Sequence, residues 1–384
     1  MSASPFDALA GSLRVSPGVP VPDSLSSSRQ DRAARLGEGR LVETLPGLMA
    51  SVFNLCSHAH RLCSQLAIEA AAPGLLPAPL EVDERLRLET VLEHVRRIGL
   101  EWPVLLGAAA DEGQGPLAAA GAAMRGCPLL AHSAVDGWAD AARWLQQALL
   151  GMPARDWQAA WEAGGSDWLG RWSAQQSVDG SGAQWLATLV CDTRAADTGD
   201  AVDAGAALHV HAHPEHLHAL AAALALTPGF ALQPQWRGAC AHTGSWTRLH
   251  GPNPSCGPLT PWALLGSRLA ELVRLCLPDD RGLAWGALST GPRRGLAWVE
   301  MARGLLVHQV ALDDACSRVV ACQVLAPTEW NFHPGGEVAQ RVSRLDARSP
   351  EVDRQLRLLM AAFDPCVPFD RVAQPETNRE SAHA

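Results

Sequence analysis

Apolar residues recur every three or four positions through much of the chain, which is the spacing of amphipathic helices. The first long stripe follows Leu45 and comprises Leu48, Val52, Leu55, Ala59, Leu62 and Leu66. Cys56 and His60 lie beside this stripe, four residues apart, and Cys63 follows on the same side. The pattern predicts a helix that carries two thiols and an imidazole at the edge of its buried face.

Similar stripes, with their flanking turn residues, predict further helices. They cover Glu84–Ile98, 104–112, Pro116–Met124, Trp138–Leu150, Pro214–Leu226, Thr260–Leu277 and Glu351–Phe363, with two short Trp-rich helices at Asp156–Trp161 and Asp167–Trp172. Gly99 and Gly151 are the expected ends of the first and fourth of these. Helices therefore account for most of the predicted structure.

Shorter apolar runs bounded by turn residues predict strands. Two of them, Gln184–Cys191 and Ala206–Val210, are joined by a polar loop. Four more predict a small antiparallel sheet, at Leu283–Ser289, Ala297–Ala302, Leu305–Asp313 and Val319–Leu325. The predicted fold class is α+β and predominantly α-helical.

The two ends of the chain have little periodicity. Residues 1–40 contain clusters of Pro, Ser and Gly, above all from Pro17 to Ser28, and predict a flexible arm with a short helix near Asp31–Leu36. Residues 41–373 are predicted to form one domain. The polar tail, residues 374–384, is predicted to be disordered.

The composition of the chain argues against several classes of protein. The net charge of -9 and the pI near 5.9 argue against a nucleic-acid partner, which would require a basic surface. The N-terminus shows no secretory signal, and no apolar segment is long enough to span a bilayer. The ten cysteines do not form the short, dense framework of a disulfide-stabilised domain. We expect a cytoplasmic protein with reduced thiols and no membrane partner.

Two segments carry residues suited to soft metal ions. Phe53–Cys63 holds thiols and imidazoles, and Phe363–Cys366 places another thiol after a proline. Thiolates and imidazoles brought together from distant segments form sites for iron or nickel. From spacing alone the alternative stays open that Cys56 and Cys63 are small buried residues of a helix.

These two segments, in this order, resemble the N-terminal and C-terminal cysteine motifs of the nickel-iron hydrogenase large subunit. In that family CxxC is followed four residues later by His, and DPCxxC ends the domain. His60 matches the motif histidine, Cys56 the second cysteine and Phe53 the first; Cys366 begins the second pair and Phe369 ends it. Phenylalanine therefore replaces two of the four metal-binding cysteines.

Segments between the two motifs also match in order. Ala302-Arg303-Gly304, after Glu300, resembles EAPRG, and Ala326–Asn331 resembles APTTWN. His242–Arg248 is a weaker match to EVGPLAR. The resemblance extends from about residue 44 to about residue 370 and implies a hydrogenase-large-subunit-like fold.

A large-subunit relative that lacks half of the ligands is similar to hydrogenase maturation proteins of the HupK/HoxV type, which are regarded as cytoplasmic scaffolds for the iron cyanide/carbonyl unit. The resemblance implies that Cys56 and Cys366 transiently hold an Fe(CN)2CO unit, with no nickel expected. His60 would form a hydrogen bond near a sulfur. Arg303 and Thr328 would donate hydrogen bonds to the cyanide nitrogens.

The implied partners are the hydrogenase large-subunit precursor and small chaperone and iron-assembly proteins of the Hyp type. Two alternatives stay open. The chain could be a metal-free interaction protein that mimics the large subunit to hold maturation chaperones. It could also be a redox enzyme with a remodelled metal site, which would need ligands to replace Phe53 and Phe369; the one thiol nearby is Cys63.

A histidine-rich segment, His209–His218, is a separate candidate for metal binding. If the segment began as a strand, alternation would put His209, His211 and His213 on one face. Histidines so placed can bind zinc or nickel. We favour adventitious binding at a surface edge, because clustered neutral imidazoles bind metal ions readily on any surface.

Overall fold

The computed structural model describes residues 11–107, 114–130, 137–250, 258–278 and 282–372. Its helices are α1 Arg32–Gly37, α2 Leu45–Val52, α3 Ser57–Ala71, α4 Val82–Arg96, α5 Trp102–Leu106, α6 Gln114–Arg125, α7 Trp138–Leu145, α8 Ala154–Gln176, α9 Gln184–Thr193, α10 Pro214–Leu226, α11 Pro261–Cys276, α12 Pro327–Asn331, α13 Glu337–Arg344 and α14 Val352–Phe363. The predicted predominance of helix is confirmed. None of the described helices is both long and apolar enough to cross a bilayer.

Four strands form the predicted antiparallel sheet, and they lie side by side in the order in which they follow one another along the chain. They are β3 Trp285–Gly291, β4 Arg294–Met301, β5 Gly304–Leu312 and β6 Val319–Leu325. Helix α3 packs directly on β4, where a Cβ atom at Gly295 would lie only 2.0 Å from the carbonyl oxygen of Ala67. Glycine therefore allows the close approach that fixes α3, and the motif residues at its start, against the sheet.

The prediction of a flexible arm is wrong for residues 11–40. Strand β1 Leu13–Val15 pairs with β2 Leu25–Ser27 and, in parallel, with β7 Phe369–Arg371. Leu13 and Val15 are fully buried. Each strand is too short to give a periodic signal, and the pairing joins opposite ends of the chain. The short helix is confirmed as α1, capped by Asp31 Oδ1, which accepts from Ala34 N at 3.0 Å.

Some predicted segments fall on residues that the structure does not describe. Residues 1–10 of the predicted arm and the whole predicted tail, 374–384, lie outside the described ranges. The same holds for residues 108–112 of the helix predicted at 104–112.

Two predicted strands are wrong. The apolar run Gln184–Cys191 is part of α9, because a short buried run fits a helix as well as a strand. Ala206 ends one 3-10 turn and Val210 begins another, and between them Ala207 makes a single bridge with His242. The Trp-rich segments predicted as two short helices form one helix, α8, with a kink at Gly165.

Candidate functional site

A cavity of about 630 Å³ lies where α3 begins, beside the sheet and the segment that follows α14. The five predicted site residues all line it: Cys56, His60, Arg303, Thr328 and Cys366. Residues more than 300 positions apart in the sequence therefore line one cavity. The fold thus brings the two cysteine motifs together, as the resemblance implies.

Cys56 is buried at the N-cap of α3. The first backbone N–H groups of that helix are occupied by Glu89, whose carboxylate oxygens accept from His58 N at 2.6 Å and from Ala59 N at 2.9 Å. Burial raises the pKa of the Cys56 thiol, Arg303 opposes this rise, and Cys366 adds to it. In the absence of a cation at the sulfur, Cys56 is therefore a neutral thiol.

Cys366 lies two residues after Asp364, which ends α14 in the left-handed region at φ 53°. Its sulfur lies 3.1 Å from Thr328 Oγ1 and accepts from Arg29 Nη1 at 3.4 Å. The side chain is half-buried and faces the cavity. Hydroxyl and guanidinium groups thus surround this second sulfur with hydrogen-bond donors.

Arg303 is 3% exposed and reaches the cavity from the turn between β4 and β5. Its Nη1 donates to Glu93 Oε2 at 3.1 Å, and its Nε lies 3.6 Å from Asp364 Oδ1. Burial opposes the charge, but the carboxylate of Asp364 above all raises the pKa of the guanidinium above its ordinary value. The cavity therefore has a permanent positive charge close to both sulfurs.

Asp364 orients this charge. Besides Arg303, its carboxylate contacts Arg97 at 2.9 Å and Arg268 at 3.0 Å. Burial favours its neutral form, but the three arginines hold the pKa of Asp364 well below its ordinary range. Asp364 therefore stays ionised and helps to hold Arg303 at the cavity, while Glu93 and Glu101 pair with Arg303 and Arg97 on the other side of the cluster.

A hydrogen-bonded chain fixes the tautomer of His60. Ser64 Oγ donates its one proton to the His60 carbonyl oxygen at 2.9 Å, so His308 Nδ1 must donate to Ser64 Oγ, at 2.9 Å. Burial lowers the pKa of His308 to about 3, so its Nε2 is unprotonated and accepts from His60 Nδ1 at 3.0 Å. Burial also keeps His60 neutral, with its pKa well below the ordinary value. His60 Nε2 is therefore an acceptor, and a hydrogen bond to a thiol must run from sulfur to nitrogen.

Sequence reasoning missed Arg29 and Glu329. Arg29 Nε lies 2.7 Å from Glu329 Oε1, and both residues line the cavity. Arg29 belongs to the segment for which the sequence predicts a flexible arm. Glu329 stands where the APTTWN segment has its second threonine, and this departure was the one available signal.

The two phenylalanines at cysteine positions are packed in different ways. Phe53 lines the cavity and stacks on His60, whereas Phe369 pairs with Leu13 in the N-terminal sheet. Cys63 does not replace a ligand, because its sulfur donates to Ala297 O at 3.4 Å, away from the cavity lining. Within the described ranges, no cluster of three or more His, Cys, Asp or Glu side chains could hold a metal ion.

The histidine-rich segment does not form the predicted strand face. His211 is buried, and its Nε2 lies 2.9 Å from Glu300 Oε1, so it belongs to an internal hydrogen bond. His213 and His216 form an edge-to-face ring pair at the start of α10, with centroids 4.9 Å apart. The prediction that alternate histidines share one strand face is therefore wrong.

No protein-family model matches the chain. The chain is 36% identical over 391 residues to the hydrogenase expression/formation protein HoxV of Cupriavidus necator, and the match covers 98% of this chain and 99% of that protein. It is 32% identical to the hydrogenase expression/formation protein HupK of Bradyrhizobium diazoefficiens, with 91% of each chain covered.

The fold is similar to that of solved hydrogenase structures. An NAD+-reducing nickel-iron hydrogenase in its H2-reduced state matches with a TM-score of 0.52 and 14% identity, over 89% of this chain and 91% of that one. A variant of the NiFeSe hydrogenase of Desulfovibrio vulgaris Hildenborough matches with a TM-score of 0.51 and 12% identity, over 89% and 92%. The predicted hydrogenase-large-subunit-like fold is confirmed. Because the match to HoxV extends over nearly the whole of both proteins, the chain belongs to the HoxV/HupK family of hydrogenase expression/formation proteins.

Proposed function

We propose that the chain is a non-catalytic carrier in the maturation of a nickel-iron hydrogenase. It receives an Fe(CN)2CO unit, holds it through Cys56 and Cys366, and passes it to the large-subunit precursor. The observation that carries the proposal is the single cavity that brings these two cysteines together with Arg303 and Thr328. With phenylalanine at the other two ligand positions, Cys56 and Cys366 are the two thiols among the described residues that line the cavity.

The chemistry of the two sulfurs suits this cargo. Low-spin iron that carries cyanide and carbon monoxide binds soft, electron-donating ligands, and thiolate is such a ligand. Two protein ligands hold one iron less firmly than the four sulfurs of the bimetallic site, since affinity rises with ligand number. A carrier must also release its cargo, and an iron held by two sulfurs is released more easily than one held by four.

The charges around the cavity also support the proposal. Two cyanides neutralise Fe(II), and two thiolates then leave the bound unit with two negative charges. Arg303 is charged, buried and electrostatically coupled to both sulfurs. Its guanidinium and the Thr328 hydroxyl can donate to cyanide nitrogens, and hydrogen bonds from a charged donor are the stronger kind. No nickel is required in this scheme.

The names of the relatives support a role in hydrogenase formation. In our proposal the chain works in the cytoplasm, where thiols stay reduced. It meets the large-subunit precursor there, together with small chaperone and iron-assembly proteins of the Hyp type. The fold shared with hydrogenase large subunits supports this, because a protein of similar shape can be recognised by the same partners.

Infrared spectroscopy tests the proposal. The protein is purified anaerobically from a host that expresses the maturation machinery, and the cyanide and carbonyl stretching region is recorded. We expect bands that disappear in Cys56→Ser and in Cys366→Ser and persist in Cys191→Ser, a matched control whose thiol lies outside the cavity.

A blank spectrum from wild-type protein that still co-purifies with the chaperones would overturn the carrier proposal and favour a metal-free mimic of the large subunit. The enzyme alternative is tested separately. Purified protein supplied with nickel and iron is assayed for uptake and evolution of hydrogen, and we expect neither.

A further inference from the structure

Arg29 brings a second guanidinium group to the cavity. Its Nε lies 2.7 Å from Glu329 Oε1, and its Nη1 donates to Cys366 Sγ at 3.4 Å. The side chain of Arg29 is 13% exposed and that of Glu329 is 9% exposed. Two contacts to different groups hold the planar guanidinium in one orientation. The sulfur of Cys366 therefore has a fixed cation beside it.

The N-terminal strands hold Arg29 at this position. Leu13 N donates to Pro368 O at 2.9 Å, and β1 continues in parallel alongside β7. Strand β2 pairs with β1 and ends at Ser27, two residues before Arg29. The chain that follows Cys366 thus anchors the segment that carries Arg29, and the two side chains are located relative to each other by backbone hydrogen bonds.

Arg29 has N–H groups that remain available for a ligand. A guanidinium offers five N–H groups and no acceptor. The contacts with Glu329 and Cys366 use two of them, and across the described residues the other three have no protein partner. Since Arg29 lines the cavity, these donors are available to a ligand bound at Cys366.

We propose that Arg29 is a binding residue for the iron unit, donating a hydrogen bond to a cyanide nitrogen while it holds the sulfur of Cys366. The inference rests on the proposed function and adds to it a residue that the hydrogenase motifs do not contain. Thiolate and cyanide are both acceptors, so one donor-only side chain serves both. Glu329 orients Arg29, because an ionised carboxylate has no proton to donate. Arg29 and Arg303 then offer two charged donors to the bound unit, whose negative charge strengthens the hydrogen bonds that it accepts.

Four variants test this role in protein purified anaerobically from the maturation-competent host. Arg29→Gln/Glu329→Gln removes both charges, so that no buried carboxylate is left unpaired. Glu329→Gln alone keeps the guanidinium. Arg29→Lys keeps the charge but loses the fork of donors. Arg40→Gln is the matched control, because Arg40 is an exposed arginine of the same N-terminal segment and lies outside the cavity.

Cyanide stretching bands and iron per protein are measured for each. We expect shifted cyanide bands and at least about a tenfold loss of retained iron in the double variant, which is the range for losing one charge-assisted hydrogen bond. Arg40→Gln is expected to keep the wild-type iron content. Glu329→Gln keeps the guanidinium of Arg29 but loses the carboxylate that orients it, so its iron content should lie between that of the wild type and that of the double variant. If the double variant does not fold, Arg29→Lys provides the test. Cyanide bands that shift in Arg29→Lys support the role of Arg29 as a binding residue, and unchanged cyanide bands contradict it.

Failure of the inference and failure of the proposed function look different. A folded double variant with wild-type bands and wild-type iron content overturns the role of Arg29 while the carrier proposal stands. Wild-type protein without any cyanide or carbonyl bands overturns the carrier proposal, and the role of Arg29 falls with it.

Discussion

The ring of Phe53 stacks on the imidazole of His60, with centroids 3.9 Å apart and planes inclined by 11°. Phe53 stands where the hydrogenase motif has a cysteine, so a ring that cannot bind metal covers a histidine at the edge of the cavity. The stack also explains how the site tolerates the replacement, because the phenylalanine is packed against a neighbour.

Restoring this cysteine should slow the release of iron. In Phe53→Cys a third thiol would line the cavity, and affinity rises with the number of thiolate ligands. We expect iron to pass to a chelator at least about ten times more slowly than from the wild type, measured by chelator absorbance after anaerobic mixing. Phe53→Leu is the control, since it also removes the stack but adds no ligand. Equal release rates for Phe53→Cys and Phe53→Leu would contradict the idea that ligand number sets retention.

Replacing Asp364 should strongly destabilise the fold. Asp364→Asn keeps the shape of the side chain and tolerates the left-handed backbone at φ 53°, but it leaves Arg97, Arg268 and Arg303 without their shared anion. Breaking a buried ion pair on one side costs about 3–5 kcal/mol. Denaturant unfolding at neutral pH measures the loss.

The exposed pair of Asp314 with Arg293 provides the comparison, since the side chain of Asp314 is 96% exposed. Asp314→Asn should cost less than about 1 kcal/mol, as is usual for a surface ion pair. Similar losses for Asp364→Asn and Asp314→Asn would show that the arginine cluster does not depend on its buried carboxylate.

The residues of the candidate site could be predicted where short motifs carry them. Helical periodicity put Cys56 and His60 on one side of a helix, and the order of the segments brought Cys366 to the same site. Arg29 could not be found in this way, because its two partners lie 300 and 337 residues away and nothing local marks the contact. The two ends of the chain pair through contacts of the tertiary structure, and no local sequence pattern predicts such contacts.

The errors of secondary structure have a related cause. The run Gln184–Cys191 is buried on most sides in α9, so it lacks the alternation that separates helix from strand. The alternation of histidines predicts His211 on a strand face, but its side chain is buried and hydrogen-bonded to Glu300. Its partner is 89 residues away, beyond the reach of any pattern of neighbouring residues.

Gly165 should resist substitution. It lies inside α8 at φ 50° and ψ -132°, a conformation that is strained for any residue with a Cβ atom. Gly165→Ala should therefore lower the free energy of unfolding by about 1–3 kcal/mol. Gly121→Ala in α6 should raise it by about 0.5–1 kcal/mol, because the position is helical and, of the residues that the structure describes, the new Cβ meets Arg125 Nη1 alone, at 3.5 Å. Denaturant unfolding of both variants checks the opposite signs, and stabilisation by Gly165→Ala would contradict the assigned kink.

His308 should make the fold sensitive to acid. Burial lowers its pKa from the ordinary 6.5 to about 3, so below pH 6.5 the unfolded chain takes up a proton that the folded chain excludes. Stability is thus fully present above pH 6.5 and declines as the pH falls toward 3, by about 2 kcal/mol at pH 5. His308→Gln removes the titrating ring, and the difference in unfolding free energy between pH 8 and pH 5 should shrink by about that amount. His218→Gln, at an exposed position, controls for the loss of an imidazole. Because the same ring fixes the tautomer of His60, an unchanged pH dependence in His308→Gln would also remove the basis for an unprotonated His60 Nε2 at the cavity.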